Sequence, residues 1–306
     1  MGAGFLLRRW QWLTEEADQS LLRLCVQVLL PALIFESVLG NEALHRPENL
    51  LLPPLVGAIM ALAGIALAAL AARFAGFETT GERRTFALTA GLQNYGYIPL
   101  PLCLLLFDQG TVGVLLVHNV GVEVILWTVG IAVLSGGGWR DGWKRVINAP
   151  LLALLLALIL NAIDQHVSPP ENVLATGRVV MIAVHWLGQC AVPLALLMIG
   201  AVIADHLPEI RGSGFARVIM LAGAVRLMVM PVLFVLLAKY LPCSIELKRV
   251  IVVQGAMSSA VLPIALTKHY GGDPRTALLV VLGTSSAGLA TIPLWIRWGG
   301  HFAGLW

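Results

Sequence analysis

The chain alternates long apolar runs with short polar connections. Runs of roughly 18–24 residues, enough to cross a hydrocarbon core of about 30 Å as helices, occupy about 18–39, 50–72, 84–107, 110–134, 147–164, 180–203, 216–240, 249–270 and 276–298. Two of these runs are interrupted at mid-span by polar and helix-breaking residues. The first interruption reads GLQNYGYIPLPL, Gly91 to Leu102, and the second reads QGAMSSAVLPIAL, Gln254 to Leu266. Pro99 and Pro101 lack amide donors and push Ile98 and Leu100 out of helical geometry, while Gly96 loosens the same turn. Gly255 and Pro263 act in the same way in the second run. A backbone group left unpaired in hydrocarbon costs several kcal/mol, so such breaks persist only where protein buries them or where they line a cavity. Discontinuous helices at corresponding places in two halves of a chain mark the midplane substrate site of a secondary transporter.

Composition points the same way. A hydrophobic fraction of 58%, only 12% charged residues and a mean hydropathy of +0.85 exclude an ordinary soluble domain. The expectation is an all-α integral membrane protein, multi-pass in the inner (plasma) membrane, with the lipid bilayer as its solvent. The net charge of +3 does not indicate nucleic acid, because the basic residues are spread as loop charges. They report orientation instead. With Ser135–Pro150 in the cytoplasm, thirteen Lys and Arg, among them Arg8, Arg9, Arg23, Arg84 and Arg145, fall on that side and six on the other. The positive-inside rule favours that placement, with Trp306 outside, against the cluster Lys239, Lys248 and Arg249 on the far side. Cys25, Cys103, Cys190 and Cys243 show no CxxC pair or ligand spacing, so no metal site is expected. Met1–Trp12 carries Arg8 and Arg9 without a following apolar region and cleavage site, which predicts no signal peptide.

The two halves echo each other. VLLPALIF around Pro31 resembles CAVPLALLMIG around Pro193, 162 positions on, and Pro99 precedes Pro263 by 164. Nearly equal offsets at two markers argue for a duplicated unit, with chance recurrence of prolines as the alternative. The expected organisation is a first repeat over 1–134 with four spans, a cytoplasmic connection over 135–148, and a second repeat over 149–306 with five. The offset puts the counterpart of the 147–164 span before Met1. GFLLRRWQWL (Gly4–Leu13) is then expected to be the tail of an incomplete first span.

Taken in order, LTEEADQSLLRLCVQVLLPALIF, NYGYIPLPL, HNVGVEVILWTVG (His118–Gly130), NAPLLALLLALIL, CAVPLALLMIGA, RLMVMPVL and TSSAGLATIPLW resemble the auxin efflux carrier family. That family holds the plant PIN-type auxin exporters and many bacterial carriers of malate, malonate and similar carboxylates. The resemblance implies ten helices in two inverted five-helix repeats. Scaffold helices would surround a transport unit whose fourth and ninth helices cross at their breaks, moving as an elevator; a scaffold-mediated homodimer fits the same resemblance. Two departures are visible. The family's first helix is expected to be absent or incomplete here, and Met257 is followed by Ser258 where the family usually reads Met-Pro-small-Ala, with Pro263 further along.

Candidate substrate-binding residues at the first break are Gln93, Asn94, Tyr95, Gly96 and Pro99; the other reading of Gln93 and Asn94 is that they cap freed backbone groups. At the second break they are Met257, Ser258, Ser259 and Pro263, with the serines alternatively serving as small packing residues. Asn119 and Glu123 stand four apart and share a helix face. An ionised acid at mid-span costs about 2.5–3.5 kcal/mol on insertion scales. Glu123 is therefore either a proton-coupling residue or the structural partner of a cationic or amide group. His118, off that face, reads as packed or capping. Arg226, inside its span, could neutralise an anionic substrate, pair with Glu123, snorkel or cap a broken backbone. Glu36 and His185, nearer span ends, are expected to be solvated at the interface. Gly57, Ala61, Gly64 and Ala68 form a small-residue ladder for close helix packing.

No GxxxxGK[ST] motif is present, and no nucleophile–base pair or HExxH supports an enzyme. The reading is a secondary transporter of small organic anions, coupled to protons or sodium and needing no cofactor or nucleic acid. The alternative is a non-transporting solute sensor or an inactive paralogue.

Overall fold

The computed structural model describes residues 2–137, 146–164, 171–206 and 215–305. Most of the connection expected over 135–148 lies outside the described residues. The elements are α1 (Gly2–Arg9), α2 (Glu15–Val38), α3 (Glu48–Phe74), α4 (Thr80–Gly91), α5 (Pro99–Leu106), α6 (Gln109–Ser135), α7 (Ala149–Asp164), α8 (Glu171–His206), α9 (Ala216–Tyr240), α10 (Ile245–Ala256), α11 (Leu262–Tyr270) and α12 (Pro274–Ala303). Within them, six stretches are long and apolar enough to cross a membrane alone: α2, α3, α6, Val179–Ala201 of α8, α9 and α12. The apolar helix α7 is shorter, and α4/α5 and α10/α11 are the halves of the two interrupted runs. The protein is an all-α membrane protein, as its apolar periodicity predicts.

Local chemistry sets the helix starts. Thr79 and Glu82 form a capping box at α4, and Asp273 accepts from the Thr276 amide at 2.8 Å at α12. Asp108 caps α6, accepting from the Thr111 amide at 2.8 Å and from Arg249 at 2.6 Å. Burial raises its carboxyl, but these donors outweigh that effect and hold it below the usual carboxylate range. Prolines follow two of the π turns inside helices, while a third, Leu126–Gly130 in α6, has none near it. Widened π turns at Cys25–Leu29 and Ala224–Val229 precede Pro31 and Pro231. Pro231 cannot donate to the Leu227 carbonyl, and the Trp295 indole does so instead at 2.7 Å.

The helices pack as two bodies. In the first, α3 lies on α4 and α6 through glycines, and α9, α10 and α12 pack on one another and, through α12, on α4. Gly57 faces the His118 carbonyl, Gly64 the Gly91 carbonyl, and Gly121 the Pro54 carbonyl. The expected ladder is thus a packing surface. The second body consists of α2, α7 and α8, with α1 packed along α8. The segment expected to be the tail of a first span forms α1, where buried Arg8 bonds both carboxylate oxygens of Asp18 at 2.6 and 2.5 Å. Glu36 and His185, expected to be solvated at the interface, stand in hydrogen-bond contact at 2.6 Å between α2 and α8.

The two breaks lie in the first body and cross. Residues 92–98 and 257–261 leave helical geometry, and their backbones pair antiparallel. The Asn94 amide donates to the Ser258 carbonyl at 2.8 Å, the Ala260 amide donates to the Leu92 carbonyl at 2.9 Å, and Gln93 stands opposite Ser259. The Ser259 amide donates to the Thr284 hydroxyl on α12 at 3.2 Å. Fully buried Arg226, carried on the π turn of α9, bonds the Met257 carbonyl through Nε at 3.2 Å and the Gly91 carbonyl through Nη1 at 3.3 Å. Of its open readings, the structure shows the backbone cap.

Four substitutions test this packing and the cap. A Cβ on Gly121 would sit 1.8 Å from the Pro54 carbonyl oxygen, whereas one on Gly223 meets nothing within 4 Å. Thermal unfolding in detergent should show Gly121→Ala losing about 1–3 kcal/mol and Gly223→Ala gaining up to about 1 kcal/mol from helix propensity. Arg226→Met should cost about 1–3 kcal/mol for each carbonyl left without a donor, and Arg226→Lys should recover only part of it.

Candidate functional site

The crossing opens on a cavity of about 890 Å³ between the two bodies. The breaks contribute Asn94–Tyr97 and Ala260–Leu262; α6 contributes Asn119, Glu123 and Trp127. The facing wall comes from α2, from Asn148 and the start of α7, and from Ala191, Val192 and Ala195 of α8.

Side chains complete what the backbone pairing leaves open. The Tyr95 carbonyl accepts from Asn119 Nδ2 at 2.9 Å and from Gln254 Nε2 at 3.1 Å. Gln254 Nε2 also donates to Asn119 Oδ1 at 2.9 Å, which closes a triangle linking α10, α6 and the first break. Asn94 Oδ1 accepts from the Tyr97 amide at 3.1 Å, so this side chain holds the turn toward α5 while lining the cavity. One turn beyond Asn119, Glu123 Oε2 accepts from Asn148 Nδ2 at 3.0 Å. Asn148 in turn receives the Leu151 amide at 2.9 Å at the start of α7. Glu123 therefore reaches across the boundary between the bodies.

Asn94, Tyr95, Gly96, Asn119 and Glu123 come together in the cavity wall. The other residues expected there lie elsewhere. Gln93 and Ser259 are buried and paired, and alternation along extended backbone turns them to the opposite side from Asn94. Ser258 is buried with its hydroxyl 3.4 Å from that of Ser285. Pro99, Met257 and Pro263 stand at the edges of the breaks, outside the lining, and the second break presents Ala260, Val261 and Leu262 instead. His118 is packed in the interior, its Nδ1 3.5 Å from Asn119 Oδ1.

Gln254, Asn148, Tyr97 and Arg23 were not among the expected residues. Gln254 had a readable signal, an uncharged amide at mid-span directly before Gly255. Asn148, in the run Asn-Ala-Pro, reads locally as a helix cap. Arg23 reads locally as a loop charge, and only the packing of α2 brings it to the cavity.

The sequence matches the family described as membrane transport protein over residues 1–138 and 139–296. A relative from Methanothermobacter thermautotrophicus, described as an uncharacterized transporter, is 25% identical over 300 residues, covering 95% of this chain and 92% of its own. The family match takes in both breaks and both bodies that enclose the cavity. The chain belongs to this family, that of the auxin efflux carriers, and is a multi-pass membrane transporter.

Proposed function

We propose that the protein is a secondary transporter of small organic anions of the carboxylate class, working by alternating access in the inner (plasma) membrane. The observation that carries this reading is the meeting of two half-helices at one cavity. Helices α5 and α11 begin at Pro99 and Leu262, and Gly96, Tyr97, Val261 and Leu262 at or just before those starts line it. The positive end of the helix dipole favours an anion at each start; Pro99, Pro101 and Pro263 supply no amide there, and the amides of Tyr97, Leu100 and Ile264 are bonded within the breaks. Asn94, Asn119 and the backbone of the breaks supply polar contacts to its remaining atoms.

An elevator movement suits the packing. Both breaks belong to the first body, and the wall that faces them belongs to the second, so a rigid displacement of the first would carry the site past a fixed surface. Gln19 and Arg23 lie near the start of α2, and Ile147 and Asn148 near the start of α7. The cavity therefore reaches the face that bears the 135–148 connection. With the orientation that the loop charges favour, that face is cytoplasmic and this arrangement is inward-facing. In this reading residues 1–134 and 149–306 are the two repeats, and a homodimer would form through the second body. Glu123 is the proton-coupling candidate, with sodium as the other coupling ion.

Counterflow in liposomes tests the reading. Purified protein loaded with a mixture of mono- and dicarboxylates should accumulate at least one labelled member; failure with the whole panel would overturn it. Asn94→Ala removes the acceptor for the Tyr97 amide and should cost about 1 kcal/mol of stability together with about a tenfold loss of exchange, or roughly 1.4 kcal/mol of binding. Asn94→Asp keeps the acceptor and should retain the stability while losing exchange, because it adds charge where the anion sits. Proton coupling through Glu123 predicts that Glu123→Gln loses the pH dependence of net uptake yet retains exchange; unchanged pH dependence would leave Glu123 as the partner of Asn148 alone.

A further inference from the structure

Lys239 is one of the cations that stand against the loop-charge bias. Arg249, shortly after it, is bonded to Asp108 at the start of α6, the end away from the 135–148 connection, so this stretch lies at the opposite membrane face. Lys239 has a different kind of partner. Its ammonium lies 3.7 Å from the centre of the Phe302 ring and 6.0 Å from that of Tyr240, where α9 and α12 both end. The Trp298 indole stacks on the same Phe302 ring at 5.3 Å. A ring face attracts a cation through its quadrupole, but it occupies none of the N–H groups and brings no charge to neutralise them. Lys239 is exposed and forms no hydrogen bond or ion pair with any described residue, and neither α9 nor α12 contains an Asp or Glu. Toward mid-span, Leu233 and Leu236 of α9 and Leu294 of α12 are exposed.

We propose that Lys239 and its aromatic platform bind the head-group phosphate of an anionic phospholipid, in the leaflet opposite the 135–148 connection. The proposal is independent of what the central cavity carries. Seated on a ring, the ammonium keeps its N–H donors for phosphate oxygens. Trp298 and Tyr240 are 52% and 72% exposed at the ends of apolar spans, the level at which amphipathic rings meet lipid head groups. The exposed leucines continue the surface to the depth of the acyl chains. A free anion would make no use of that apolar continuation, so the occupant is a lipid. A zwitterionic head group brings its own ammonium beside Lys239, whereas phosphatidylglycerol brings a net negative charge. One lysine at the membrane surface is worth about fivefold in affinity for an anionic lipid.

The seat distinguishes Lys239 from a cation that merely adds to the surface charge. Arg297 supplies the comparison. It is exposed on α12 and has no hydrogen bond or ion pair with any described residue, yet it stands five positions from Phe302 and so on another face of the helix. A lipid preference built on the platform depends on Lys239 and Phe302 and not on Arg297.

Fluorescence quenching by lipids with brominated acyl chains tests the proposal on the purified full chain in a neutral detergent, the Trp298 signal being the part that Trp298→Phe lacks. Brominated phosphatidylglycerol should quench that signal at about fivefold lower concentration than brominated phosphatidylethanolamine. Lys239→Gln should bring the two lipids to the same half-quenching concentration with the melting temperature in place, since the side chain is exposed. Lys239→Arg should retain the preference. Phe302→Leu, which keeps the charge and removes its seat, should lose most of it, and Arg297→Gln should leave it intact. Inorganic phosphate at matching concentrations should not displace the lipid. Equal quenching by both lipids in the wild type, or an unaltered preference in Lys239→Gln, would overturn the proposal. So would an equal loss in Arg297→Gln, which would make surface charge alone the cause, or displacement by phosphate, which would make the ligand a free anion.

Discussion

The rest of the structure depends on backbone amides and carbonyls that cannot be left bare inside a membrane. Each of two helices is broken at mid-span, and each break frees groups that lipid cannot satisfy. The breaks solve the problem for each other. Two hydrogen bonds between residues 92–94 and 258–260 turn the unwound stretches into a short antiparallel pair, and Arg226 closes the carbonyls of Gly91 and Met257. The Tyr95 carbonyl goes to Asn119 and Gln254. A cationic side chain buried without an acid is costly in hydrocarbon. Here that cost is offset by two otherwise orphaned acceptors, which lie close enough for one guanidinium only because the breaks cross.

The same constraint explains the rest of the first body. The crossing brings the ends of α4 and α10 to one place, and α3 packs against both α4 and α6. The contacts of Gly64 with the Gly91 carbonyl and of Gly121 with the Pro54 carbonyl show backbones touching where a methyl group would not fit. The small-residue ladder on α3 is thus tied to the site, since it seats the helix that ends at the first break. The π turn on α9 belongs to the same logic: Pro231 removes a donor, the turn widens, and Arg226 is carried within the widened segment.

Helix existence, the two interruptions and their mutual burial were legible in the sequence because each follows from a local rule: apolar length, missing proline donors and the intolerance of lipid for bare amides. The set of residues facing the cavity was less so. Gln93 and Asn94 are adjacent and chemically alike, yet extended backbone sends them to opposite sides, and nothing in their identity says which faces the cavity. Ser258 and Ser259 are small and polar, as a site residue would be, and are buried behind the crossing instead. Arg23 is the clearest limit. Its neighbours Glu15, Glu16 and Asp18 make it read as part of a charged interface, and only the placement of α2 across from the breaks turns it into cavity wall.

That placement divides the polar interactions into two kinds with different mechanical consequences. Those that build the crossing, from Arg226 and Gln254 to Thr284, lie within the first body and would move with it in the proposed elevator movement. They can be strong without opposing the motion. Interactions that cross the boundary would have to break in each cycle of that movement, and the Glu123–Asn148 contact is one amide donor on the Glu123 carboxyl. Such a bond contributes about 1.5–3 kcal/mol, small enough for a bound ligand or a proton to shift the balance between the two access states. An elevator movement would need a rigid site on a body that is held in place weakly, and satisfying the broken backbones internally would allow both at once.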